Sequence, residues 1–166
     1  MKLRPRTIST VAMASTLALI LSYIESLVPL SFAVPGIKMG LANIAIVFVL
    51  YRLGEKEAIA VSLIRLFWVA VLFGSFMTFL YSLAGAALSM TVMIILKRSG
   101  NFSAVGVSVA GGITHNAGQI IAAVLLMETA QIAYYLPVLV VSGTVTGVII
   151  GIVSALLINK IPKNLV

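Results

Sequence analysis

Long apolar runs, broken by short polar stretches, follow one another along almost the whole chain. Their spacing predicts six helices, from about Thr7 to Val28, Met39 to Leu53, Glu55 to Phe73, Met77 to Leu96, Ser103 to Met127 and Ala133 to Ile158. A bilayer crossing takes roughly 20 apolar residues. The second run is short for that, so it is expected to tilt or to begin inside the preceding loop, PLSFAVPGIK. The first run follows Lys2, Arg4 and Arg6 and so looks like a signal peptide. It is too long for the apolar part of one, and no small-x-small site closes it. It is expected to stay as the first helix.

Composition says which solvent this pattern serves. The 166 residues are 61% hydrophobic and only 9% charged, whereas a soluble domain carries roughly 25% charged residues. Too few charges remain to cover a water-facing surface, so the bilayer is the solvent. No soluble domain, linker, low-complexity tract or internal repeat interrupts the runs. The expectation is a single all-α integral membrane domain over residues 1–166, with six transmembrane helices.

The charges orient it. Lys2, Arg4, Arg6, Arg52, Lys56, Lys97, Arg98, Lys160 and Lys163 all fall on one side of a six-span arrangement. Lys38 falls on the other side, and Arg65 lies inside a span. Positively charged loops stay in the cytoplasm, so both termini are expected there. The net charge of +7 thus reads as membrane anchoring, with no nucleic-acid partner.

Several chemistries are excluded or disfavoured. The chain has no cysteine, no aspartate and one histidine; its acids are Glu25, Glu55, Glu57 and Glu128. Such a set does not readily close a metal shell or supply paired carboxylates for general acid–base work. No phosphate-binding lysine loop is present, so ATP is not expected on this chain.

The polar residues inside the spans are the candidate site. Arg65 lies half-way along the third run, in IAVSLIRLFWVAV. An arginine at that depth costs about 2.5–3.5 kcal/mol on insertion scales, which makes it a functional candidate; pairing with Glu25 or snorkelling is the structural alternative. GGITHNAGQ interrupts the fifth run, and Gly112, His115, Asn116 and Gln119 share one helical face. They predict a ligand-lining face, with interhelical hydrogen bonds as the alternative. Lys38 and Asn43, near the start of the second helix, and Tyr81, in the fourth, complete the expected ligand path, with Phe32 of the loop as further aromatic surface. The cations favour an anionic or strongly polarised ligand.

Small residues form two stripes. Gly143, Gly147 and Gly151 give a GxxxGxxxG series suited to close helix packing. Ala14, Ala18 and Ser22 give a second series on the first helix, for internal packing or for docking another protein. Glu25 lies near the same helical angle, further along.

Three stretches, PGIKMGLANIAIVFVLY, IRLFWVAVLFGSFMTFLYSLAGAALSM and GVSVAGGITHNAGQIIAA, resemble the Gx transporter family, whose members are often labelled heptaprenyl diphosphate synthase component I. That family is similar to the substrate-binding (S) components of energy-coupling factor (ECF) transporters. The resemblance implies a six-helix, multi-pass protein of a prokaryotic cell membrane that captures a small nutrient or precursor at its outer face. A quinone or isoprenoid precursor is among the ligands it suggests. It implies partners, an ECF transmembrane coupling protein and two ATPase subunits, and ATP used by those subunits alone. It gives the stripe of Ala14, Ala18 and Ser22 a docking role. The label implies an enzyme, but prenyl diphosphate synthases hold magnesium with aspartate-rich motifs, and this chain has no aspartate. No catalysis is therefore expected. The alternatives are a non-catalytic membrane subunit of a prenyl-diphosphate or quinone-synthesising enzyme, and a membrane scaffold.

Overall fold

A computed structural model describes residues 5–27 and 40–162. Those residues form six α-helices: α1 (Pro5–Leu27), α2 (Asn43–Arg52), α3 (Glu55–Phe73), α4 (Phe76–Ser99), α5 (Ala104–Met127) and α6 (Leu136–Lys160). A short 3₁₀ helix, Ala130–Tyr135, precedes α6. Four stretches, Thr7–Leu27, Phe76–Ser99, Ala104–Met127 and Ala130–Lys160, are long and apolar enough to cross a membrane. This is the build of a membrane-spanning helical protein. α3 has 19 residues, but Glu55, Lys56, Glu57 and Arg65 dilute its apolar character.

Local chemistry sets the boundaries. Ser75 caps α4: its hydroxyl accepts from the Thr78 N–H, and the Thr78 hydroxyl accepts from the Ser75 N–H at 2.7 Å. Two of the helix's otherwise unpaired donors are thereby satisfied. Gly100 ends α4 at φ +72, a left-handed conformation that glycine adopts without strain. Ser103 caps α5 by accepting from Gly106 N–H. α6 starts later than the apolar pattern predicts. Pro137 lies in its first turn, where a missing N–H costs nothing and a fixed φ suits the helix. The residues before it tighten into the 3₁₀ turn. α2 starts at Asn43 after a turn at Gly40, whose φ is +69.

α4, α5 and α6 form a closely packed wall. A Cβ on Gly147 would lie 2.7 Å from the Val109 Cα, and one on Gly112 would lie 2.6 Å from the Gly143 carbonyl oxygen. On the other side of α5, a Cβ on Gly118 would lie 2.9 Å from the Gly85 Cα. These contacts are backbone to backbone, so dispersion over a long seam replaces the hydrophobic drive that lipid removes.

α1 packs chiefly on α3 and α2. Ala14 and Ala18 are buried there, in one cluster with Ala45, Val49, Ala58 and Val61. Both alanines therefore face the inside of the bundle, which is the internal-packing alternative for this stripe. The large side chains of Met13, Leu17, Ile20 and Ile24 form the outward face of α1.

Basic residues tie the other end of the bundle. Arg52 donates to the carbonyls of Ile158 and Ile161, at the end of α6. Lys97 donates to the Leu50 carbonyl at 2.6 Å and lies over the Tyr51 ring. Cations at helix C-termini are favoured by the helix dipole and satisfy carbonyls that lack an intrahelical partner. Arg98 forms an exposed ion pair with Glu55, with Nε at 2.8 Å from Oε1.

Candidate functional site

All six helices contribute to one cavity of about 580 Å³. It begins at the end of the bundle where α1 finishes, α2 starts and α3 hands over to α4, with Ser22, Glu25, Ser26, Gly40, Phe73 and Ser75 on its walls. It reaches down to the level of Arg65 and His115, near the middle of α3 and α5. A cavity of this size takes a drug-sized ligand.

Four of the residues singled out in the sequence meet here. Asn43, Arg65, His115 and Asn116 line the cavity together, although they come from three different helices. Arg65, Asn43 and His115 also border a second, water-sized pocket with Ser62 and Ser89. Ser22, expected at a docking face, lines the cavity instead.

Gly112, of the same expected face as His115 and Asn116, lines the cavity too, whereas Gln119 and Tyr81 do not. Gln119 packs across the α4–α5 seam; a Cβ on Gly85 would lie 2.8 Å from its Cγ. Tyr81 is half-buried and is not among the lining residues, whereas its neighbours Phe79 and Ser82 are. Lys38 and Phe32 lie outside the described residues.

Arg65 and Ser22 both carry unpaired polar atoms at the site. The Arg65 Nε and the Ser22 hydroxyl are shut off from solvent and find no partner among the described residues. Among the described residues the direct ion pair is Arg98–Glu55, not Arg65–Glu25. Glu25 is the acid whose charge acts on Arg65. One Glu25 oxygen accepts from the Gly40 N–H at 2.6 Å, which ties the end of α1 to the approach to α2. Arg65 thus brings a positive charge to the cavity wall with no direct ion pair among the described residues, and such a charge inside an apolar bundle marks a place where a ligand's acidic group can supply the partner.

Asn116 has a mixed role. Its Nδ2 donates to the Leu139 carbonyl of α6 at 2.7 Å. This interhelical bond uses one of the two amide hydrogens, and Oδ1 keeps its acceptor capacity. Thr146 likewise donates to the Ser142 carbonyl within α6 at 2.9 Å and keeps its lone pairs. The opposite wall, from α3, is apolar: Leu66, Val69, Ala70 and Phe73.

Sequence reasoning named Glu25 as a pairing alternative for Arg65 but did not place it on the ligand path, and it missed Ser26, Ser82, Ser108 and Thr146. Serine and threonine carry little signal in such helices, because their hydroxyls can bond to their own helix. The face that Glu25 shares with Ser22 is the pattern that could have found them. Among the described residues no group of three potential metal-ligating side chains converges.

Compared with known proteins, residues 14–157 match the family described as heptaprenyl diphosphate synthase component I. No curated protein and no solved structure matches the chain.

Proposed function

Since the chain belongs to the heptaprenyl diphosphate synthase component I family, we propose that it is the family's ligand-capturing type of membrane protein, working as the S component of an ECF-type importer. The observation that carries this reading is the cavity of about 580 Å³ with the under-satisfied Arg65 at mid-depth. A protein that only glued helices together would gain by filling such a space, because empty volume forfeits packing.

In this reading the six helices form the transmembrane bundle, with the 10-residue α2 reaching through only part of the bilayer depth, and both termini are cytoplasmic. Arg52, Lys97, Arg98 and Lys160 lie at one end, which the positive-inside rule assigns to the cytoplasm. The cavity then begins at the outer face of a prokaryotic cell membrane. Arg65 meets the negative group of a small organic solute. Asn43, His115 and Asn116 orient it through hydrogen bonds. Transport is driven by partners, a coupling membrane protein and two ATPases. Because Ala14 and Ala18 are internal, the partner meets the outward face of α1, where α1 is least covered by its own bundle.

The test is affinity purification of the tagged protein from native membranes in mild detergent. Co-purification of a coupling protein and ATPases supports the importer. Their absence, with the bundle folded, removes it.

The family's description favours a second reading, a membrane subunit beside a prenyl diphosphate synthase. Magnesium-dependent prenyl diphosphate formation that requires this chain would establish it. The lack of any aspartate weighs against the chain itself holding magnesium and diphosphate.

A further inference from the structure

The charges that face the cavity narrow the ligand class, on the assumption that the capture reading holds. Arg65 and Glu25 both line it, with opposite signs, and they form no direct ion pair. At the exposed end of the bundle the same two chemistries do close on each other, Arg98 on Glu55. In the cavity they are held apart, with Glu25 fixed by the Gly40 N–H and Arg65 further down. We propose that the cavity selects a dipolar small molecule, with its acidic group on Arg65 and an ammonium or other cationic N–H group on Glu25.

Three observations support this. The first is charge balance. A simple anion bound at Arg65 would occupy the one cation on the described walls and leave Glu25 without a counter-charge among the described residues. A cationic group on the same ligand supplies that counter-charge. A diphosphate fares worse, because several negative charges would then face one arginine and one carboxylate on the described walls. The second is hydrogen-bonding capacity. Asn116 places one N–H and Thr146 its hydroxyl hydrogen on α6 carbonyls, and both oxygens retain acceptor capacity, so this wall can receive N–H groups that a ligand brings. The third is shape. The α3 wall of Leu66, Val69, Ala70 and Phe73 offers apolar surface along the line from Arg65 towards the mouth, so the two charged ends are joined by a largely apolar body.

The experiment uses full-length protein in phosphatidylcholine nanodiscs. Wild type, Arg65→Ala and Glu25→Gln are each incubated with a total small-molecule extract of the producing cells, washed, and the retained compounds identified by mass spectrometry. The expected result is a compound with both an acid and a protonated nitrogen, retained by wild type and reduced about tenfold or more by either substitution. The amide introduced by Glu25→Gln keeps an oxygen for the Gly40 N–H, so that substitution removes charge and leaves the tie. A ligand-side comparison is independent of folding: N-acetylation of the retained compound keeps its acid and removes the cation, and should abolish retention by wild type. A retained acid without a basic nitrogen, lost in Arg65→Ala and kept in Glu25→Gln, overturns the dipolar assignment and leaves capture standing. Unchanged retention after N-acetylation does the same. Nothing retained above the Arg65→Ala background overturns the capture reading and this inference together.

Discussion

Arg65 concentrates the tension in this molecule at the scale of one residue. Its Nε has no acceptor among the described residues, in a bundle whose helices are otherwise largely apolar. On the capture reading such a group is kept for binding, and stability should not depend on it. Arg65→Leu is therefore expected to abolish solute retention while leaving the thermal midpoint in detergent unchanged or higher. A collapse of the midpoint would make Arg65 a structural residue instead. Asn116 should behave differently. Asn116→Ala removes the bond to the Leu139 carbonyl and is expected to cost about 0.6 kcal/mol, the usual size of an interhelical bond in a membrane. Denaturant titration in mixed micelles measures it. The two residues look equally anomalous in the sequence, as polar groups inside apolar runs. Only their neighbours separate them: the Asn116 amide reaches the Leu139 carbonyl, and the Arg65 Nε meets no partner among the described residues.

Helices meet here in two distinct ways. The α4–α5–α6 wall is held by backbone approach at glycines, and α1 is held by small side chains at Ala14 and Ala18. Gly147→Leu is expected to destabilise by about 1–3 kcal/mol, because its Cβ alone meets the Val109 Cα at 2.7 Å and a helix must move. Gly106→Ala is the control. Its Cβ meets side chains at 3.7 Å or more, so the better helix former should raise stability by up to about 1 kcal/mol. Ala18→Leu should loosen α1, since Ala18 is 0% exposed, whereas Met13→Leu, at a position 70% exposed, should change little. Unfolding midpoints compare the four. The spacing of Ala14, Ala18 and Ser22 was legible in the sequence. Its direction was not, because a four-residue stripe looks the same whether it faces its own bundle or another protein.

For the whole molecule the decisive property is orientation. The chain contains no cysteine, so each introduced thiol is a unique reporter. Glu128→Cys, just past α5, is expected to react with a membrane-impermeant maleimide added outside intact cells. Ser99→Cys, at the end of α4, should react only after permeabilisation. The reverse pattern would place the cavity mouth towards the cytoplasm and end the importer reading. The basic residues behind this expectation do more than orient the chain. Arg52 and Lys97 hold the C-terminal carbonyls of α6 and α2, so the bias that a topogenic rule reads from the sequence also closes one end of the bundle.

The sequence by itself determined the solvent, the helices and the family. Apolar runs of bilayer length, scarce charge, and Gly, Ser and Pro at the run ends are local properties. They put α3 where the pattern predicts it, at Glu55–Phe73, and the other helices within a few residues of expectation. Only the tertiary structure decided the site. Glu25, Asn43, Arg65 and His115 belong to four helices, and their meeting around one cavity depends on crossing geometry that no single helix encodes. The same holds for Gln119, which meets Gly85 of α4 as His115 does yet does not line the cavity, and for Ala14 and Ala18, which turn inward. A helix's own periodicity fixes which residues share a face. What that face meets is set by the sum of close contacts across the bundle.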